Sequence, residues 1–154
     1  MVDTYVDITQ REFEKALDKY EWKRIEPWGV EEAVYRIEAG HGFSVWIYST
    51  ISTDTGVSRE KGTDAIRALL KYKGEKIVAN APKTLRTKNW KKNLYAKIDE
   101  LMEMVTEYKD PDGHPMVKRK RKDGKGIFYG CALYPKCKYI YKGEKPLDKL
   151  YTKS

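Results

Sequence analysis

Between Trp90 and Tyr108 the chain places large apolar residues at intervals of three and four: Trp90, Leu94, Ile98, Leu101, Val105 and Tyr108. On an α-helix these positions form one stripe, and such a stripe is stable in water only when another element covers it. The spacing predicts a long helix within residues 83–108, capped by Asn89 or Thr87. The turn sequence Asp110-Pro111-Asp112-Gly113 follows as its stop and as a boundary. A helix cannot cover its own apolar face, so the upstream sequence has to supply the partner.

That partner reads as an antiparallel sheet. Ala33 to Glu38 and Phe43 to Thr53 have strand character, and Ala39-Gly40-His41-Gly42 between them supplies hairpin turn residues. The second strand sets Phe43, Val45 and Ile47 against Ser44, Trp46 and Tyr48, so both faces carry large side chains. Core packing is the expectation for Trp46 and Tyr48, with an aromatic face open to a ligand as the alternative. Periodicity does not decide residues 63–81, where Ile66, Leu69 and Leu70 also fit a helix. The strand-like Glu75 to Ala81 favours a hairpin turning at Lys73-Gly74. A short helix precedes all of this. Thr9-Gln10-Arg11-Glu12 is a capping box, Ile8 and Phe13 form the hydrophobic staple, and Phe13, Ala16, Leu17 and Tyr20 repeat at helical spacing. The expected fold is α+β: a sheet with an N-terminal helix and a long packed helix over 1–108, a small β module over 109–142, and a tail from 143 to 154.

Charge divides the chain. Residues 1–60 carry 7 basic and 12 acidic side chains, whereas 61–154 carry 24 and 11, within a net charge of +8. A polyanion would meet the second half. Lys83 to Lys97 holds six basic residues and no acid, and Ile98 to Tyr108 holds four acids and no base. This layout opposes the helix macrodipole. A phosphate at the helix N-terminus would turn that opposition into attraction, with Arg86, Lys88, Lys91 and Lys92 as its contacts. Lysines pointing into water are the plain alternative.

The second basic region is the C-terminal run. Lys118, Arg119, Lys120, Arg121 and Lys122 are consecutive, and Phe128-Tyr129-Gly130-Cys131-Ala132-Leu133-Tyr134-Pro135-Lys136-Cys137-Lys138-Tyr139 follows closely. Residues 113–139 resemble the C4 zinc-ribbon repeat at the C-terminus of bacterial and archaeal type IA DNA topoisomerases. That repeat reads Cys-x-x-Cys-Gly-x-x-Met, a basic hairpin, then Phe-x-Gly-Cys-x-x-Tyr-Pro-x-Cys or close to it. The resemblance implies a β-ribbon that binds DNA, chiefly single strands, through basic and aromatic side chains. The segment from Trp46 through Trp90, with Tyr-Ser-Thr at 48–50 and Leu-Arg-Thr at 85–87, resembles archaeal proteins that also carry such ribbons, which implies architecture alone.

The first half departs from the pattern. The leading cysteine pair falls at Lys109 and Asp112, and neither is a thiol. Two thiolates rarely suffice for structural zinc. The expectation is therefore a metal-free ribbon without a cofactor, with Cys131 and Cys137 free or bridged by a disulfide. A mixed zinc site drawing on His114, Asp110 or Asp112 is the alternative. Lys118 to Lys122, Lys136 and Lys138 are expected on phosphates, with Tyr129, Tyr139 and Tyr141 stacking on bases. Phe128 and Tyr134 are expected in the module's own core.

Function follows from these surfaces. The expectation is a nucleic-acid-binding protein with little sequence specificity, favouring DNA over RNA and single strands or single/double-strand junctions over duplex. A metal-dependent nuclease and an adaptor for an acidic protein are the alternatives. Catalytic residues are not expected, since His41 and His114 lack readable partners and no nucleophile elbow or phosphate-binding glycine loop is present. Rare Asn and Gln beside abundant Lys and Glu suggest a thermophile. The N-terminus lacks a signal-peptide pattern, and a cytoplasmic protein is expected.

Overall fold

The computed structural model describes residues 6, 8–26, 33–49, 65–121, 124–141 and the backbone of 148–149. Within them the chain is α+β, with two helices and two antiparallel sheets.

Helix α1 spans Gln10–Leu17. It begins where the capping box predicts: Thr9 is the N-cap, and the Glu12 backbone N–H donates to its hydroxyl at 3.1 Å. Ile8 and Phe13 are both buried, as a hydrophobic staple requires. Strands β1 (Trp22–Glu26), β2 (Ala33–Gly40), β3 (Phe43–Ser49), β4 (Ala65–Tyr72) and β5 (Lys76–Asn80) then run as an antiparallel meander. A short β6 (Thr84–Leu85) adds a second partner to β4. Both expected hairpins are present. Each turns on a non-glycine residue in the left-handed region beside glycine: His41 at φ 54° after Gly40, and Lys73 at φ 54° before Gly74.

Helix α2 spans Trp90–Glu103 and is shorter than the stripe that announces it. Trp90, Leu94, Ile98 and Leu101 are buried, but Val105 and Tyr108 belong to strand β7 (Val105–Lys109). Two β-branched residues, Val105 and Thr106, follow the helix end and disfavour another turn. The new strand also captures its own partners. Lys118 N–H donates to the Met104 carbonyl at 2.8 Å, and the Thr106 hydroxyl donates to the Met116 carbonyl at 2.6 Å. Strands β8 (Pro115–Lys120), β9 (Ile127–Cys131) and a two-residue β10 (Asp148–Lys149) complete a second sheet in the order β10-β7-β8-β9.

One core joins these parts. The inward residues of the meander, including Tyr35, Ile37, Val45, Ile47 and Leu70, meet Phe13 and Leu17 of α1 and the α2 stripe. Phe13 stacks on Trp90 with ring centroids 5.7 Å apart. The helices are pinned to each other by Tyr95, whose hydroxyl donates to the Ala16 carbonyl at 2.6 Å, and by Tyr20, which donates to Asp99 at 2.9 Å. Full burial of a side chain such as Leu94 or Ile98 contributes roughly 1.5–3 kcal/mol. Val117 of the second sheet and Ala132, just past the end of β9, belong to the same core. Among the described residues, no helix is long and apolar enough to cross a membrane.

Candidate metal centre and nucleic-acid interface

Four donor side chains meet at one end of the second sheet. Asp110 and His114 flank the β7–β8 turn, Cys131 ends β9, and Cys137 closes the turn that leaves it. The first turn is organised by Asp110, whose Oδ1 accepts the backbone N–H groups of Asp112 and His114, each at 2.9 Å. Gly113 sits there at φ 83°, where a side chain would be strained. With Oδ1 so engaged, the second oxygen of a carboxylate only 1% exposed points toward the other three donors. Asp110 Oδ2 lies 3.3 Å from His114 Nδ1 and accepts from Cys137 Sγ at 3.2 Å. Cys131 Sγ lies 3.8 Å from His114 Nδ1. All four donor atoms lie within 4.8 Å of one another.

Backbone contacts support the sulfur side of this cluster. Leu133 N–H donates to Cys131 Sγ at 3.4 Å, and Cys137 N–H to the Leu133 carbonyl at 3.4 Å. Both cysteines are free thiols, so the disulfide alternative is not realised. Burial raises the Asp110 carboxyl, but the His114 backbone N–H and the neighbouring thiols outweigh it and hold the group below the usual carboxylate range. Burial, then Cys137 and Asp110, push the Cys131 thiol up to about 12. Chemically this is a compact set of one oxygen, one nitrogen and two sulfur donors. The ribbon pattern places its first cysteine pair at 109 and 112, whereas the donors that meet the two cysteines stand at 110 and 114. Asp112, also weighed as a ligand, is exposed and contributes only its backbone.

The basic run is partly in place beside this cluster. Lys118, Arg119 and Lys120 lie on β8 and Arg121 follows, while Lys122 falls outside the described residues. Lys118 faces Tyr129 across the ladder, and Arg119 faces Phe128. Arg119 is half-buried, and its guanidinium donates to the Val78 carbonyl at 3.4 Å. A cavity of about 370 Å³ is lined by Arg119, Lys120, Phe128, Tyr134, Lys138 and Tyr139. Gly130 also lines it, beside the Phe128 ring. Lys136 is exposed on the turn between the two cysteines.

One aromatic residue departs from expectation and another gains partners. Tyr129 is half-buried and packs against Tyr108 at 5.9 Å and Tyr141 at 6.4 Å in edge-to-face contacts. Tyr134, expected in the core, is 59% exposed. Strand alternation accounts for Tyr129, because it and Phe128 project to opposite faces of β9 and the Tyr129 side also carries Tyr108. Tyr134 lies beyond the strand, on the turn after Cys131.

The start of α2 is also only partly as expected. Lys88, Lys91 and Lys92 are exposed, and the first turn carries no acid. Asn89 occupies the cap position without a side-chain capping hydrogen bond. Arg86 departs from expectation: it is fully buried, with Nη2 donating to the Ser49 hydroxyl at 2.9 Å, and is not a surface contact for phosphate. Glu100 and Glu103, at the acidic end of the helix, line a cavity of about 420 Å³ together with Lys118, Arg119 and Lys120.

Trp46 and Tyr48, expected in core packing, are only half-buried. They lie on the face of the meander opposite the core, where their ladder neighbours are Arg36 and Leu69 for Trp46 and Val34 and Arg67 for Tyr48. Lys71 Nζ is 4.2 Å from the Trp46 ring and donates to the Tyr48 hydroxyl at 2.9 Å, and the Arg67 guanidinium is 5.1 Å from the Tyr48 ring. The alternation of β3 with β4 carried that signal, since Arg67 and Lys71 pair directly with Tyr48 and Ser44. Arg59 and Asp64, which precede Arg67 in the sequence and could form a polar site with it, lie outside the described residues. Comparison of the chain with protein-family models, with curated proteins and with solved structures gives no match.

Proposed function

We propose that the chain binds nucleic acid, preferring single-stranded DNA or single/double-strand junctions and reading little sequence. The observation that carries this reading is the cavity on β8 and β9, where Phe128, Tyr134 and Tyr139 stand among Arg119, Lys120 and Lys138. Rings at that spacing accept unpaired bases, and cations at the rim track the backbone phosphates. That combination holds single strands without hydrogen-bond readout of sequence. Its volume of about 370 Å³ falls within the range of small-ligand clefts, roughly 300–1,000 Å³, and so admits a base rather than a duplex. The resemblance of residues 113–139 to the topoisomerase ribbon supports the same reading. Lys88, Lys91 and Lys92 extend the basic surface at a second point, where an exposed helix start favours anions.

Fluorescence titration of single-stranded, duplex and RNA oligonucleotides at two salt concentrations tests the proposal. Single-stranded DNA should bind most tightly, and affinity should fall steeply with salt as counterions are released. Undetectable or salt-independent binding to all three would overturn it.

A further inference from the structure

We propose that Asp110, His114, Cys131 and Cys137 bind one zinc ion, which clamps the β7–β8 turn to the segment that follows β9. The inference stands on this cluster alone and does not depend on the nucleic-acid reading.

Donor geometry comes first. A tetrahedral zinc with bonds of about 2.0–2.3 Å sets its donors roughly 3.3–3.8 Å apart. Three of the six spacings already match: 3.3 Å for Asp110 Oδ2 to His114 Nδ1, 3.2 Å for Asp110 Oδ2 to Cys137 Sγ, and 3.8 Å for Cys131 Sγ to His114 Nδ1. All six lie within 4.8 Å, so an ion has at most about 1 Å of contraction to impose on the rest. Donor chemistry agrees. Two sulfurs and an imidazole favour zinc over magnesium or calcium, which take oxygen ligands. The surrounding contacts are those a ligand set needs: two backbone N–H groups fix Asp110 through Oδ1 and leave Oδ2 for the metal, and Leu133 N–H steadies Cys131. Four protein donors complete a tetrahedron without a position for water, so the ion is structural rather than catalytic.

Its place in the fold gives it work to do. The ligands come in two pairs from separate stretches of chain, Asp110 with His114 and Cys131 with Cys137. Between the cysteines the backbone forms turns held by a few hydrogen bonds, including Lys136 N–H to the Leu133 carbonyl at 3.0 Å. The same stretch carries Tyr134 and Lys136, both exposed. A cation joining the pairs fixes the exposed part of that stretch, beyond the buried Ala132.

The full-length, untagged protein tests this directly. Purified without added metal and dialysed, it should carry one zinc per chain by elemental analysis. Replacing zinc with cobalt should give the intense visible bands of a tetrahedral ion and thiolate-to-cobalt charge transfer. Chelation should lower the melting temperature, and zinc but not magnesium should restore it. Asp110→Asn and Cys137→Ser should lose most of the metal. His114→Cys, which keeps a donor, should retain it and guards against variants that merely fail to fold. A protein that purifies without metal and takes up neither zinc nor cobalt overturns the proposal. So does a weak octahedral cobalt spectrum, or full metal content in both Asp110→Asn and Cys137→Ser.

Discussion

Replacing Tyr134 with leucine should weaken nucleic-acid binding while leaving the fold intact, and the same change at Tyr129 should do the reverse. Tyr134 is 59% exposed and lines the cavity on β8 and β9. Little burial is lost with it, so stability should stay within about 0.5 kcal/mol of the parent, the usual range for surface positions. Stacking on an aromatic ring contributes roughly 1–3 kcal/mol per base. Losing it should therefore raise the Kd for a single strand about 5- to 150-fold. Tyr129 touches Tyr108 and Tyr141 edge-on. Two such pairs are worth roughly 0.5–1.5 kcal/mol each, so Tyr129→Leu should lower stability by about 1–3 kcal/mol. The assay is fluorescence anisotropy with a labelled single strand at low salt, run beside urea denaturation of the same preparations. Wild-type affinity in Tyr134→Leu would remove that ring from the binding surface. A large loss of affinity in fully folded Tyr129→Leu would show that the two tyrosines have been assigned the wrong way round.

Lys120→Ala and Lys138→Ala should each reduce the slope of log K against log salt by about 0.7 for a single strand, if each lysine neutralises one phosphate. An unchanged slope in the double variant would place the phosphates elsewhere. Arg86→Met should leave that slope unchanged but lower stability by on the order of 2–4 kcal/mol, because it removes a buried donor from the Ser49 hydroxyl and leaves space behind; chemical denaturation measures it. Glu14 gives a pH dependence. Burial raises its carboxyl, but hydrogen bonds from Arg24, Tyr35 and Gln10 outweigh this and hold it below the ordinary glutamate value. An acid depressed in the folded state contributes stability above its unfolded value and loses it as pH falls through the folded one. Wild type should therefore lose its advantage over Glu14→Gln below about pH 4.3. Parallel stability curves for the two proteins down to the acid limit would contradict this.

What could be read from the sequence was what depends on neighbours in the chain. The Thr9 cap, the glycine-flanked turn at His41 and the turn at Lys73-Gly74 are local choices of backbone geometry, and each is found where the residues place it. The end of α2 was hidden because Val105 and Tyr108 keep helical spacing while also alternating acceptably on a strand. Their β-branched neighbour Thr106 was the available clue. Arg86 was misplaced because a basic residue in a basic stretch gives no sign of burial; its partner Ser49 is 37 residues away. The donor cluster was half visible. Cys131, Cys137 and His114 were in view, but choosing Asp110 over Asp112 needed the turn that sends one carboxylate inward and the other into solvent.

Val117 and Ala132 sit in the same apolar cluster as Phe13, Leu17 and the α2 stripe. The consequence is thermodynamic. The second sheet is not a bead on a string whose melting the meander would fail to notice, because opening it wets part of the interior that the meander shares. Heating should produce one sharp calorimetric peak rather than two, with van't Hoff and calorimetric enthalpies in agreement. Damage done at Cys137, far along the chain from α1, should be felt as a shift of that whole peak.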